Sequence, residues 1–314
     1  MPDLGSLSIA PSPAQSYTSS FAPPPQHRAP SPNPSSYYPS PSSTFREPPP
    51  PLLDPASQHR RIISYGSVEE GPPYKLSVAH PDLKLLTSMR EIAFAGDLDV
   101  RVAWAKQVLK FVERFQSSSA GESSRISDPL LVSFTDEALR TILSSAASPA
   151  PVPLALYLRG DLAASGTFPS YKAKDAKVAF RDFEAASNLG YIRAWYRIGK
   201  AYEDFKDTRR AINSYEKGVE KEDCGCLYRI GMAYLLGQLG FEIDIDRALG
   251  YLELAALRSD LDTPQPGYVL GMVRAGEFEG VQLGRIPVDL EFAKENIERS
   301  AFLGFGPAQL KMVR

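Results

Sequence analysis

Two stretches decide how this chain folds: Ala194-Trp-Tyr-Arg-Ile-Gly-Lys-Ala-Tyr202 and Cys226-Leu-Tyr-Arg-Ile-Gly-Met-Ala-Tyr234. Tyr, Arg, Ile, Gly, Ala and Tyr recur in register 32 residues apart. A third copy, Pro266-Gly-Tyr-Val-Leu-Gly-Met272, follows 40 residues on, and a degenerate first copy, Ala155-Leu-Tyr-Leu-Arg-Gly160, precedes by 39. In each copy a tyrosine stands three residues before the glycine: Tyr157, Tyr196, Tyr228 and Tyr268.

A second element follows each copy with a register of its own. An aspartate sits four residues before an alanine: Asp175/Ala179, Asp207/Ala211, Asp244/Ala248 and Asp289/Ala293. Four residues after that alanine comes a large apolar residue (Phe183, Tyr215, Leu252, Ile297), and seven after it a small one (Ala186, Gly218, Ala255, Ser300). This is one face of a helix, with the aspartate at its N-cap, where a carboxylate satisfies free backbone N–H groups. A mid-helix glycine costs about 1 kcal/mol relative to alanine. Its recurrence at 160, 199, 231 and 271 therefore implies close approach of the paired helix, with the small residues expected on the opposite side. One helix pair does not bury its apolar face alone, so stacked pairs are required. The expected fold is all-α: a right-handed α-solenoid, preceded by a few helices and a long disordered N-terminal tail.

Spacing and motif choose among solenoids. The second-helix alanines are 32, 37 and 45 residues apart, so the loops vary, unlike a fixed tetratricopeptide array. The Ala-x-Tyr-x-Leu/Ile-Gly-x-x-Tyr opening, the Asp-x-x-Lys/Arg-Ala start of the second helix and the Ala255-Ala256 pair resemble Sel1-like repeats over about 154–314. Gly190 and Gly304 fit that family's second-helix end, whereas Glu222 and Ser259 depart from it. Ala308-Gln-Leu-Lys-Met reads as the opening of a fifth repeat, with Val313 where its glycine belongs. This predicts a truncated last repeat, and a missing cap would expose an apolar face.

Outward from the repeats, residues 1–50 hold 14 Pro and 12 Ser, and 18 of the 28 prolines lie before position 76. Such a segment buries too little apolar surface to offset its chain entropy. The expected organisation is a disordered tail at 1–75, N-terminal helices at 80–148 and repeats at 154–314. Proline runs such as Pro48–Leu52 favour polyproline II, which SH3 and WW modules read; an unstructured spacer is the plainer alternative. Ser-Pro pairs (Ser12-Pro13, Ser31-Pro32, Ser40-Pro41) suit proline-directed kinases. After Pro81, Leu83, Leu86, Met89, Ile92 and Ala93 fall on one helical face. Val102, Ala105, Val108, Leu109 and Val112 repeat the pattern, residues 117–128 read as a Ser-rich loop, and a third helix is expected at about 133–147.

Composition excludes several function classes. The net charge of −2 argues against a nucleic-acid binder driven by bulk charge. All three histidines lie at or before His80, which removes most acid–base, triad and zinc chemistry from the folded part. The two cysteines, Cys224 and Cys226, are too close to staple a fold and too few for a zinc site; Cys226 takes the small slot held by Ala194 and is expected to pack. Asp244/Asp246 and Asp260/Asp262 read as caps rather than acid–base pairs, and Lys172, Lys174, Lys177 and Arg181 as a solvated helix face. With no phosphate-binding or nucleophile motif, no catalytic, cofactor or metal residues are expected, and the reading is not an enzyme. No apolar run suits a signal peptide or a membrane span, so a cytoplasmic protein is expected.

The Pro/Ser-rich tail, the Ala103–Lys110 segment (Ala-Trp-Ala-Lys-Gln-Val-Leu-Lys) and the repeats together resemble fungal chitin-synthase activators and their cell-wall and cell-cycle relatives. That resemblance implies a non-enzymatic adaptor that binds a protein partner, a membrane-bound chitin synthase or a cell-wall signalling component, with recruitment to septum or growth sites. The alternative is a cell-cycle regulator docking on a protein kinase. The chain ends Lys-Met-Val-Arg, so the prenylation box of some members is not matched. Candidate partner contacts are the residues that change while the frame stays fixed, Trp195, Lys200 and Met232, with Arg197 and Arg229 at one repeat position as holders of an acidic or phosphorylated peptide. The repeated tyrosines are explained at least as well by core packing as by groove contact.

Overall fold

The computed structural model describes residues 82–118, 126, 128–279 and 286–313. The Pro/Ser-rich tail, its proline runs and Ser-Pro pairs lie outside them, as does most of the Ser-rich stretch at 117–128. Among the described residues there are twelve α-helices and no strand.

Three helices come before the repeats: α1 (Leu83–Ala95), α2 (Leu98–Ser118) and α3 (Pro129–Ala146). Asp82 caps α1 through the Leu85 N–H, and Asp128 caps α3 through the N–H groups of Leu130 and Leu131. Because Pro129 sits at the first helical position, α3 starts four residues before the expected 133: proline there lacks only an N–H that has no helical partner anyway. Trp104 of α2 is the centre of this unit, 2% exposed, edge-on to Phe94 and Phe134, with its indole N–H donating to the Leu86 carbonyl at 3.0 Å. Leu86, Ala93, Val102, Ala105, Val108 and Val112 are buried as the periodicity predicts, but Ile92 is 69% exposed. The apolar stripe of α1 is thus narrower than its sequence suggests, since Leu86 and Ala93 already fill the face that meets α2.

The repeats are four helix pairs: α4 (Pro153–Ser165) with α5 (Ala176–Asn188), α6 (Ala194–Asp204) with α7 (Thr208–Val219), α8 (Cys224–Leu236) with α9 (Ile245–Leu257), and α10 (Gln265–Arg274) with α11 (Leu290–Phe302). α12 (Gly306–Val313) opens a fifth unit, with Ala308 buried and Val313 exposed. Each helix packs chiefly on its neighbours in sequence, the pattern of a solenoid. Asp175, Asp207, Asp244 and Asp289 are all N-caps, each accepting a backbone N–H two or three residues on.

The periodic glycines do not face the small residues expected opposite them. A Cβ on Gly199 would lie 2.5 Å from the Tyr215 ring, on Gly160 2.8 Å from Phe183, and on Gly271 2.6 Å from Ile297. Each glycine makes room for the large residue of its own second helix. At Gly218, the small residue one turn later, a Cβ would meet Cys226 of the next repeat as well as Trp195 of its own. Large fills the space left by small within a pair, and the same rule operates between pairs.

Candidate partner-binding surface

The first helices α6 and α8 carry the five candidate residues: Trp195, Arg197 and Lys200 on α6, Arg229 and Met232 on α8. Arg197 and Arg229, one repeat apart, reach back in the same way to the first helix of the preceding repeat. Arg197 pairs with Asp161 of α4, and its guanidinium lies over the Phe183 ring. Arg229 forms a two-pronged pair with Glu203 of α6 at 2.6 and 3.0 Å and also donates to Gln238 at 2.8 Å. Glu203 further accepts the Tyr215 hydroxyl. Burial would raise the Glu203 carboxyl, but the hydrogen bonds from Arg229 and Tyr215 outweigh it and hold the group below its ordinary value. Burial and that carboxylate together push the Tyr215 phenol up. Both guanidiniums therefore already hold carboxylates of their own chain. An incoming acidic peptide would have to compete with Asp161 and Glu203.

Trp195 is half-buried between repeats with the Lys217 ammonium 4.8 Å from its ring centre, and Met232 is half-buried against the α8–α9 core. Lys200 is exposed and pairs one turn on with Asp204 at 3.1 Å. Tyr157 packs on Phe183 and Tyr191, Tyr196 on Tyr215 and against Gly225, and Tyr268 on Phe305. Each of these three rings seals its repeat against the next, so they belong to the core.

A second polar cluster has no counterpart in the repeat pattern. Lys106 of α2 donates to Asp262 at 2.7 Å, Lys110 pairs with the other oxygen of Asp262, and Arg193 bridges Asp260 and Asp262. Asp260 also accepts the backbone N–H groups of Asp262 and Thr263, which fixes the loop between α9 and α10. These aspartates go beyond the capping role their sequence context suggests: they clasp the N-terminal helices to the third inter-repeat loop, 156 residues away. Burial first, then Lys106 and Arg114, push the Lys110 ammonium down to about 8.

The cysteines are structural. Cys224 and Cys226 are free and buried; burial is the main cause that pushes Cys224 up to about 12 and Cys226 well above its usual value, so neither is a ready thiolate. Among the described residues, no group of His, Cys, Asp and Glu is arranged to hold a metal ion, and no helix is long and apolar enough to cross a membrane.

No family model matches the chain. It is similar to chitin synthase regulatory factor 4 of Schizosaccharomyces pombe, 28% identical over 257 residues that make up 76% of this chain and 39% of that protein. It is also similar to chitin synthase regulatory factor 3 of the same organism, 23% identical over 256 residues, 74% of this chain and 27% of that one. The chain thus spans less than two-fifths of the length of these curated relatives. A solved Sel1 repeat protein from Oxalobacter formigenes aligns with 73% of the chain and 88% of its own, at 20% identity and a TM-score of 0.47.

Proposed function

We propose that the chain is a non-enzymatic adaptor that binds a protein partner through the first-helix face of its repeats and thereby regulates a membrane-bound chitin synthase. The observation that carries the reading is the row of ties between first helices, Arg197 to Asp161 and Arg229 to Glu203, on a chain similar over three-quarters of its length to chitin synthase regulatory factors. Such ties hold successive first helices in fixed register, so a partner meets a preorganised surface and binding loses less to ordering. On this reading Trp195, Lys200 and Met232 are the contacts, and Arg197 and Arg229 are positioning residues that set their spacing. Recruitment to growth sites follows from the partner.

The test is affinity capture of the 314-residue chain from a fungal lysate, read by mass spectrometry, beside a Trp195→Ala/Lys200→Glu variant. A membrane glycosyltransferase in the wild-type eluate, depleted with the variant, is the expected result. A protein kinase with its regulators, unaffected by the variant, would move the protein to cell-cycle control and off this surface.

A further inference from the structure

We propose that one edge of the first two repeats, around Phe205, is a docking surface for an anionic lipid membrane. It lies at the turns within the helix pairs and adjoins the partner surface at the end of α6, where Lys200 pairs with Asp204. Elsewhere in the repeats, arginines mostly find carboxylates: Arg159, Arg193, Arg197, Arg229, Arg258 and Arg274 all stand in ion pairs. Lys172, Lys174, Lys177, Arg181, Lys206 and Arg209 make no ion pair among the described residues. The two turns that carry them are neighbours, because Phe180 of α5 meets Tyr202 of α6 edge-on at 5.3 Å and Arg210 lies over the same Tyr202 ring.

Local carboxylates do little to neutralise this edge. They are outnumbered: Asp175 faces Lys172 and Lys177, Asp207 pairs with Arg210, and Asp204 pairs with Lys200, which leaves the cations in excess. An excess of cations on one edge of a chain of net charge −2 is complementary to an anionic surface.

Phe205 makes lipid the better match than an acidic peptide. It is 75% exposed at the C-cap of α6, among Lys206, Arg209 and Arg210. The next residue, Lys206, has a φ of 63°, a left-handed conformation that disfavours any side chain by roughly 1–2 kcal/mol. The first helices of the other three repeats end in left-handed glycines, Gly166, Gly237 and Gly276. Folding alone calls for glycine in that turn and for no exposed aromatic ring. An aromatic tip ringed by lysine and arginine is what the interface of an anionic bilayer accommodates, the ring at headgroup depth and the cations on the phosphates.

The experiment is co-sedimentation of the 314-residue chain with phosphatidylcholine vesicles, with or without phosphatidylserine, using wild type, Phe205→Ser and Lys206→Glu/Arg209→Glu. All three positions are exposed, so unchanged circular dichroism and melting certify folding. Wild type is expected to sediment with the phosphatidylserine vesicles only. Removing each basic side chain costs roughly five-fold in partitioning, so the double reversal abolishes sedimentation, and Phe205→Ser lowers it by about ten-fold. Equal binding to phosphatidylcholine alone, or phosphatidylserine binding that survives the charge reversal, overturns the proposal. So does binding of poly-glutamate in place of vesicles without dependence on Phe205, which would assign the edge to an acidic protein.

Discussion

The repeats and the three helices before them are held together by different means. Between paired repeat helices the same joint recurs: a glycine, a large side chain seated over it, and an aspartate capping the helix that carries the large residue. In the unit of α1–α3 nothing recurs. A single tryptophan gathers Phe94, Phe134 and the Leu86 carbonyl, and a charge clasp ties α2 to a loop late in the chain. A recurrent joint spreads stability over many equivalent sites, whereas a central residue and a clasp concentrate it. Damage in the repeats should therefore be graded and local; damage in the N-terminal unit should be large or long-range.

Trp104→Ala is the strongest test of that contrast. It removes a buried indole together with its hydrogen bond to the Leu86 carbonyl, and should cost about 3–5 kcal/mol. Hydrogen exchange should localise the loss to α1–α3, with the repeats still protected. Within the repeats, two formally identical changes should differ. Gly199→Ala drives a methyl 2.5 Å from a Tyr215 ring that is fully buried and anchored by Glu203, and should cost about 2 kcal/mol after the helix-propensity gain. At Gly231→Ala the new methyl meets Leu252 at 3.0 Å, a contact a side-chain shift relieves, so denaturant melts should move by less than about 1 kcal/mol. Equal losses at the two glycines would show that the seated ring is not what fixes the joint.

The clasp supplies the next effect. Asp262→Ala leaves Lys106, Lys110 and Arg193 facing one another with Asp260 and Asp223 as the nearby carboxylates, and should destabilise by about 1–3 kcal/mol, less in high salt. Exchange should rise in α2 and in the α9–α10 loop together, since the bond joins them. A smaller effect than the clasp is at Glu203. Its carboxyl is held below its unfolded value, so its contribution to stability is complete above about pH 4.3 and is lost as pH falls through the folded value. Glu203→Gln should lower stability at neutral pH by about 1 kcal/mol and flatten the acid limb of the melting curve. An unchanged acid limb would mean that Arg229 gains little from its partner.

Whatever recurs is readable in the sequence, and whatever occurs once is not. The four capping aspartates, the second-helix alanines and the glycines at 160, 199, 231 and 271 stand out because each copy confirms the others. Which residue faces which glycine does not stand out, because a helical register gives a face and not the residue across from it; the large residues took the place opposite the glycines, and Gly218 admits Cys226 of the next repeat. Glu222 looks like a departure from the glycines at 190 and 304, yet it adopts their left-handed backbone, with a φ of 56°, and pairs with Arg258. Of the candidate surface, Arg197 and Arg229 are visible as a repeated position, but their partners are not: Asp161 and Glu203 occupy different positions within their own repeats. The Lys106–Asp262 contact leaves no sequence signal, because a single pair 156 residues apart has no period.

The most direct test of the adaptor reading is chitin synthase activity in fungal membranes stripped of the endogenous regulatory factor and titrated with the 314-residue chain. Wild type should give a saturable change in activity, shifted to higher protein concentration by Lys200→Glu, an exposed position at which the variant should melt as wild type does. Activity that does not respond to the chain at saturating concentration, with no synthase retained on it, would rule out an adaptor of this kind.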